Sequence, residues 1–332
     1  MTSTAHDQRA ASQTRSDESP SRMEKFDRWQ QRRSWTGLPM AVFKKFSEDQ
    51  STNMASTVAF WAFFSIFPLL LVFTTVLAYV LPSASTKANV LSHVAAFFPL
   101  LNTNQIGSLS GSWWTLLVGV LTALWSGLGV VKTLQTAFNS VWEVPMNERP
   151  KFVEKVSRAL LVLVTIGLGL VVSTVISSFV TGTATGLHLG WAGRLGGYAI
   201  AIVLDVGLFV AAFRMLTDRD ITTRDVLPGA VFSGLVFWIL QQLSSFIISR
   251  HLQSAQGTYG NFATVITMLW WFYLQGQITL LGAQLNVVIK RRMWPRSLIG
   301  GPDTQADHQA YEQYAEERKY HDEEEVDTRF RS

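Results

Sequence analysis

The stretch from Ala55 to Val80, ASTVAFWAFFSIFPLLLVFTTVLAYV, limits what this chain can fold into more than any other. No Lys, Arg, Asp or Glu occurs between Gln50 and Thr86, and its 26 residues at about 1.5 Å each reach roughly 39 Å, beyond a hydrocarbon core of about 30 Å. The run reads as a transmembrane helix. Ser65 and Pro68 sit near its middle, where the proline removes a backbone donor and disturbs the carbonyl of residue 64. Such a break survives in lipid where protein, hydroxyls or water satisfy the freed groups, so a kinked and packed helix is expected.

The mean hydropathy of +0.19 is mild because two polar ends dilute a very apolar centre. Cys is absent, which excludes disulfides, thiolate nucleophiles and Cys-ligated metals together. A net charge of +4 could suggest nucleic acid, but Lys and Arg beside membrane spans account for it, and no nucleic-acid partner is expected. No cleavable signal peptide is expected, since the first 54 residues are polar and the first apolar run is too long for one.

Residues 1–37 read as a disordered, basic cytoplasmic tail, 38–299 as a six-helix transmembrane domain and 300–332 as an acidic, solvated cytoplasmic tail, with a partly helical one as the alternative. Arg28, Arg32, Arg33, Lys44 and Lys45, interleaved with aromatics before the first span, suit anionic headgroups; a solvated linker with a short amphipathic helix is the alternative. The six spans fall at about 55–80, 113–131, 159–180, 197–216, 226–249 and 262–289. Between the first two, NVLSHVAAFFPLLN is too short to cross and is expected to form an outer interfacial helix, with His93 a passive surface residue. TGTATGLHLGWAGRLGG is an external loop rather than a phosphate loop, because no strand precedes it and no GK[ST] closes it. Thr222 and Asp225 have capping-box spacing ahead of the fifth span, Pro228 stands in that helix's first turns, and RHLQSAQGTYGN is expected to form the outer turn after it. This threading puts 25 of the 28 Lys and Arg inside and leaves Lys87, Arg194 and Arg250 outside, which favours two cytoplasmic termini.

The acids and His between the tails are scattered over both sides of the membrane, so no catalytic constellation, metal site or cofactor is expected and the chain reads as a non-enzyme. Polar groups inside the spans are more informative, because an ionisable residue in hydrocarbon is costly and usually sheltered. Asp205 and Gln241 share a depth of about 12 Å below the outer ends of their spans, and Gln275 and Gln277 lie near the middle of the last span. Asp205, Gln241, Gln275 and Gln277 are therefore candidates for a polar cavity. Helix-to-helix hydrogen bonding is the alternative use for them.

Taken together the motifs resemble the YihY/BrkB membrane protein family. MASTVAFWAFFSIFPLLLVF is similar to its first span, with Ser65 and Pro68; LQTAFNSVWEV, centred on Asn139, is similar to the segment after span two; LPGAVFSGLVFW, with Pro228 and Gly229, is similar to span five. GTYGNFATVITMLWWFYLQGQITLLGAQLNVV resembles the family's YG turn, at Tyr259 and Gly260, and its last span with the closing G-A-E-x-N, represented by Gly282, Gln284 and Asn286. Gln284 stands where the family usually has glutamate. The resemblance implies an all-α, polytopic bacterial inner-membrane protein. It also carries an old ribonuclease label, a virulence or serum-resistance label and proposed export roles. The expected function is transporter-like or envelope-associated, binding or moving a small amphiphile or metabolite, with membrane lipids as partners; a non-transporting scaffold is the alternative and a membrane-bound ribonuclease a remote one.

Overall fold

A computed structural model describes residues 22–32, 34–80, 113–151, 154–165, 167, 169, 190–299 and 304–330. All regular structure among them is helical. Helices α1 (Arg22–Gln31) and α2 (Ser34–Glu48) precede α3 (Ser51–Val80), α4 (Trp113–Val141) and α5 (154–165). They are followed by α6 (Gly190–Leu216), α7 (Thr223–Tyr259), α8 (Ala263–Arg291) and α9 (Gln305–Glu317). The expected interfacial helix with His93, the outer half of the third span, Arg33 and the first 21 residues lie outside the described set.

Among the described residues four helices are long and apolar enough to cross a membrane: Ser51–Val72 in α3, Leu116–Val141 in α4, Leu195–Leu216 in α6 and Thr223–Ser244 in α7. The 29-residue α8 is not one of them. It packs against α2, α3, α4 and α7, and buries Gly276, Gly282, Gln284 and Asn286. An enclosed helix need not be apolar all round, because its neighbours rather than lipid receive its side chains. Exposed apolar groups such as Leu121, Trp125 and Val203 instead mark the outer faces of α4 and α6.

Besides residues 22–31, expected in a disordered tail but helical in α1 with Gln30 wholly buried against 296–298, two boundaries differ from expectation. The outer turn expected over RHLQSAQGTYGN is helical through Tyr259, so α7 runs for 37 residues and only Gly260–Phe262 makes the turn. Good helix formers (Arg250, Leu252, Gln253, Ala255 and Gln256) carry it on, and Gly260 breaks it at φ +53°, a conformation glycine adopts without steric cost. His251 stacks on Trp270 of α8 at 4.3 Å and fastens the extension. The second difference is the acidic tail. Thr304 caps α9 by accepting from the Asp307 backbone N–H at 3.1 Å, and Ala310 is wholly buried, so 304–317 is packed structure rather than a solvated segment.

The densest core lies at this α9 end. Phe138 of α4 meets Phe213 of α6 edge to face at 5.3 Å, and Val141, Trp142, Leu216, Leu280, Val287 and Met293 close around them.

Candidate functional site

Helices α7 and α8 approach at two glycines. A Cβ on Gly229 would stand 1.9 Å from the Gly282 carbonyl oxygen, and one on Gly282 would stand 1.9 Å from Ser233 Oγ and 2.7 Å from the Gly229 carbonyl. Gly229 N–H donates to Asn286 Oδ1 at 2.6 Å, and Ser233 Oγ donates to the Ile278 carbonyl at 3.2 Å. The start of α7 is set by Thr222, whose N–H and hydroxyl both donate to the Asp225 carboxylate at 3.0 and 2.8 Å, the reciprocal contact expected of capping-box spacing. Lys290 then reaches Asp225 at 2.7 Å from the end of α8.

Beyond this crossing lies a layer of buried charge. Asp307 on α9 is wholly buried and accepts from Lys44 Nζ at 2.8 Å, Arg296 Nε at 2.9 Å, the Ser297 N–H at 2.9 Å and Thr304 Oγ1 at 2.7 Å. Burial alone would push its carboxyl up, but these donors hold it below its ordinary value of 3.8. Glu48 of α2 takes Arg296 Nη1 at 2.6 Å and the hydroxyls of Tyr311 and Tyr314 at 3.2 and 3.0 Å. Asp27 of α1 accepts from Gln30 Nε2, Ser297 Oγ and the Leu298 N–H. One segment, 296–298, thus ties α1, α2 and α9 together.

A second group sits deeper. Lys45 is wholly buried, reaches Asp49 at 2.8 Å, pairs with Glu143 and lies 5.0 Å from the Tyr314 ring. Glu143 also pairs with Arg291, whose Nη2 donates to the Trp142 carbonyl at 2.5 Å. Burial pushes the Glu143 carboxyl up against the opposing pull of Lys45 and Arg291. Gln284 Nε2 donates to Asp49 Oδ2 at 2.7 Å and to Ser51 Oγ at 3.0 Å, while its buried Oε1 has no partner among the described residues. In this geometry the charged groups neutralise one another and fasten five chain segments.

Outside that layer, α5 and α6 enclose a groove of about 670 Å³. Leu161, Val210 and Met215 give it apolar walls, and Arg158, Arg214, Arg219 and Asp220 rim it. Arg158 pairs with Asp218, which Asn139 clamps by donating to its carboxylate at 2.6 Å and accepting its N–H at 2.8 Å. Arg214 donates to Thr223 Oγ1 at 3.0 Å.

The sequence-derived polar set is placed as follows. Asp205, Gln241, Gln275 and Gln277 are each half-buried, and among the described residues no hydrogen bond joins any two of them. Gln277 Nε2 donates to Tyr273 of its own helix at 2.7 Å. Tyr198 meets Trp238 at 5.4 Å and Gly234 meets Val206, so Asp205 belongs to the stripe of α6 that faces α7 rather than the groove, which Gly207, Val210 and Arg214 line. Ser65 Oγ donates to the Ala62 carbonyl at 2.8 Å, inside an α3 that continues past Pro68. Tyr259 ends α7 and its side chain lies outside the described set.

Arg28 and Arg32 are exposed, consistent with headgroup contact, but Lys44 and Lys45 are not free for it. Lys45 has no exposed surface and Lys44 is held by Asp307, because α9 covers the face of α2 that carries them. Glu48, Glu143, Arg291, Arg296 and Asp307 were not singled out from sequence. Apart from Arg296 and Asp307, 11 positions apart, their pairings reach across 98 to 263 positions, so no local pattern exposes them; the run KKFSED, two cations followed by two acids beside an apolar helix, is the signal that points their way.

The chain is similar in sequence to several membrane proteins over most of its length. YfkH of Bacillus subtilis (strain 168), whose name calls it ribonuclease-like, is 24% identical over 270 residues, 76% of this chain and 94% of its own. A UPF0761 membrane protein of Pseudoalteromonas atlantica is 25% identical over 78% of this chain and 89% of its own. Another, of Acinetobacter baylyi, is 23% identical over 77% of this chain but only 63% of its own length. No solved structure matches. The match to the family described as Virulence factor BrkB runs over residues 42–306, from the C-terminal part of α2 through all the bundle helices to the start of α9. This multi-pass membrane chain therefore belongs to the Virulence factor BrkB family.

Proposed function

We propose that this chain is a transporter-like protein of the bacterial inner membrane, with six spans and both termini cytoplasmic, that binds a small acidic amphiphile without catalysing a reaction on it. The observation that supports this reading is the groove between α5 and α6, with apolar walls and Arg158, Arg214 and Arg219 at its rim. An apolar tail gains by leaving water along Leu161, Val210 and Met215, while a carboxylate or phosphate head meets guanidinium forks shaped for it. The one-sided distribution of Lys and Arg supports the orientation. Asp205 lies on the stripe of α6 that faces α7, off this groove, and the polar set of Asp205, Gln241, Gln275 and Gln277 is a separate feature of the bundle in this reading.

Native mass spectrometry of the protein in nanodiscs, loaded with palmitate or with its methyl ester, tests this. Palmitate should be retained about tenfold better than the ester, and Arg214→Gln should erase most of that difference. Equal retention of acid and ester by the wild type would sink the proposal. A scaffold reading draws on the closely paired α9 end. It gains ground if Asp205→Asn and Arg214→Gln both leave ligand retention and cellular phenotype unchanged while deletion of 22–46 abolishes the phenotype.

A further inference from the structure

A different groove, between α3 and α4, has chemistry of its own. Met54, Thr57 and Trp61 form one stripe of α3 at helical spacing, and Gly129, Lys132, Thr133 and Thr136 form the facing stripe of α4; together they line a volume of about 330 Å³. The floor exists because position 129 is glycine: a Cβ there would stand 2.3 Å from the Trp61 ring, so the indole lies directly on the α4 backbone, braced edge to face by Trp125 at 5.4 Å. The apolar part is therefore a slot beside an indole plate. The polar part lies one to two turns nearer the α9 end.

There the lining charge is cationic. Lys155 of α5 donates to Thr136 Oγ1 at 3.1 Å, and Lys132 and Arg149 are near enough to repel it, so that burial, Arg149 and Lys132 together lower the lysine's proton affinity. Asp218, the acid that acts on Lys155 among the described residues, is already engaged by Arg158 and Asn139. The hydroxyls add a second requirement. Thr57, Thr133 and Thr136 donate their protons to the carbonyls of Asn53, Gly129 and Lys132, at 3.1, 2.8 and 2.9 Å, so what they offer to the groove is acceptor oxygen. An anion alone would meet those oxygens unfavourably. A headgroup carrying both a phosphate and its own hydroxyl donors satisfies both sets.

We propose that the α3–α4 groove is a binding site for an anionic glycerophospholipid with a polyol head, its phosphate at Lys132 and Lys155, its head hydroxyls donating to Thr133 and Thr136, and one acyl chain along Trp61. The site is separate from the α5–α6 groove and rests only on the chain being embedded in a membrane.

Native mass spectrometry of detergent-purified protein titrated with phosphatidylglycerol, phosphatidic acid and phosphatidylcholine reads it. Phosphatidylglycerol should be retained about tenfold over phosphatidylcholine, with phosphatidic acid between them because it lacks the head hydroxyls. Lys132→Gln with Lys155→Gln should remove the preference for charge, and the corresponding pair of Arg substitutions should keep it. Thr133→Val with Thr136→Val should bring phosphatidylglycerol down to the level of phosphatidic acid. Equal retention of phosphatidylglycerol and phosphatidylcholine by the wild type overturns the site without any variant having to fold, and so does a preference that survives the Gln pair. Neither result bears on palmitate at the α5–α6 groove, so the two readings fail separately.

Discussion

Gly229 and Gly282 face each other across the α7–α8 crossing so closely that a methyl group on either would strike its neighbour's atoms at 1.9 Å. The contact is backbone against backbone, and it holds Asn286 where its side-chain oxygen accepts the Gly229 N–H at 2.6 Å. Two segments that carried the family resemblance, one in each helix, are therefore one joint.

Gly229→Ala and Gly282→Ala should each force the helices apart and destabilise by about 2 kcal/mol or more, since the struck atoms include a carbonyl that cannot swing away. Gly196→Ala is the control, because nothing lies within 4 Å of a Cβ there and alanine favours the helix. Thermal unfolding in detergent should fall clearly for the first two and stay level or rise for the third. Three equal midpoints would contradict the crossing.

Asp307 fixes α9, and its titration has a definite sign. Its folded value lies below 3.8, so the unfolded chain binds the proton more readily; the stability it contributes is complete above 3.8 and is lost as pH falls through the lower folded value. Asp307→Ala leaves Lys44 and Arg296 short of a partner in a buried site and should cost about 3 kcal/mol or more. Hydrogen exchange over 305–317 should show α9 released in that variant at neutral pH, and in the wild type only on strong acidification.

Gln284 stands where the family motif that the sequence resembles carries glutamate. Its amide donates to Asp49 at 2.7 Å, so Gln284→Glu sets two carboxylates face to face in a buried site. The variant should lose about 1–3 kcal/mol at neutral pH, recover part of it as the pH is lowered, and be rescued by Asp49→Asn. A pH-independent loss, or no rescue, would show that another contact decides the matter. In relatives with glutamate, the same reasoning expects a non-acidic partner or a retained proton at this place.

Much of the frame was legible in the sequence because lipid imposes long uncharged runs, which can be counted. The α3, α4, α6 and α7 spans could be read for that reason, and the Thr222 to Asp225 cap could be read because it is local. The central helix α8 was legible as a helix but fails the hydropathy measure of a span, since burial among helices relaxes the demand that lipid makes. The charge layer was not legible. Lys45 looks like a headgroup ligand until a partner 98 positions away, Glu143, is folded against it, and Asp307 looks solvated until Lys44 and Arg296 arrive from both sides. The groove at Arg158 and Arg214 depends likewise on α5 meeting α6, which no single helix announces.

Lys45 and Glu143 separate two kinds of buried charge. The Glu143 carboxyl is raised by burial despite Lys45 and Arg291 beside it, so the group favours folding in its protonated form: its contribution is complete below the unfolded value of 4.5 and is lost as pH rises through the higher folded one. Glu143→Gln removes that carboxylate but leaves Lys45 paired with Asp49 and Arg291 bonded to Gln313 and the Trp142 carbonyl, so it should be the milder single change, at a cost below about 3 kcal/mol. Lys45→Met is different, because it strips the cation from between Asp49 and Glu143 and leaves two carboxylates in a dry site, at a cost of about 3–5 kcal/mol. Combining Lys45→Met with Glu143→Gln should recover a large part of that loss, since only Asp49 remains to be satisfied and Gln284 already donates to it. Unfolding midpoints of the two single variants and the double variant at neutral pH decide it. Additive losses would mean that Lys45 acts chiefly through its packing on Tyr314, and coupled ones that the ion pair is the reason it is buried.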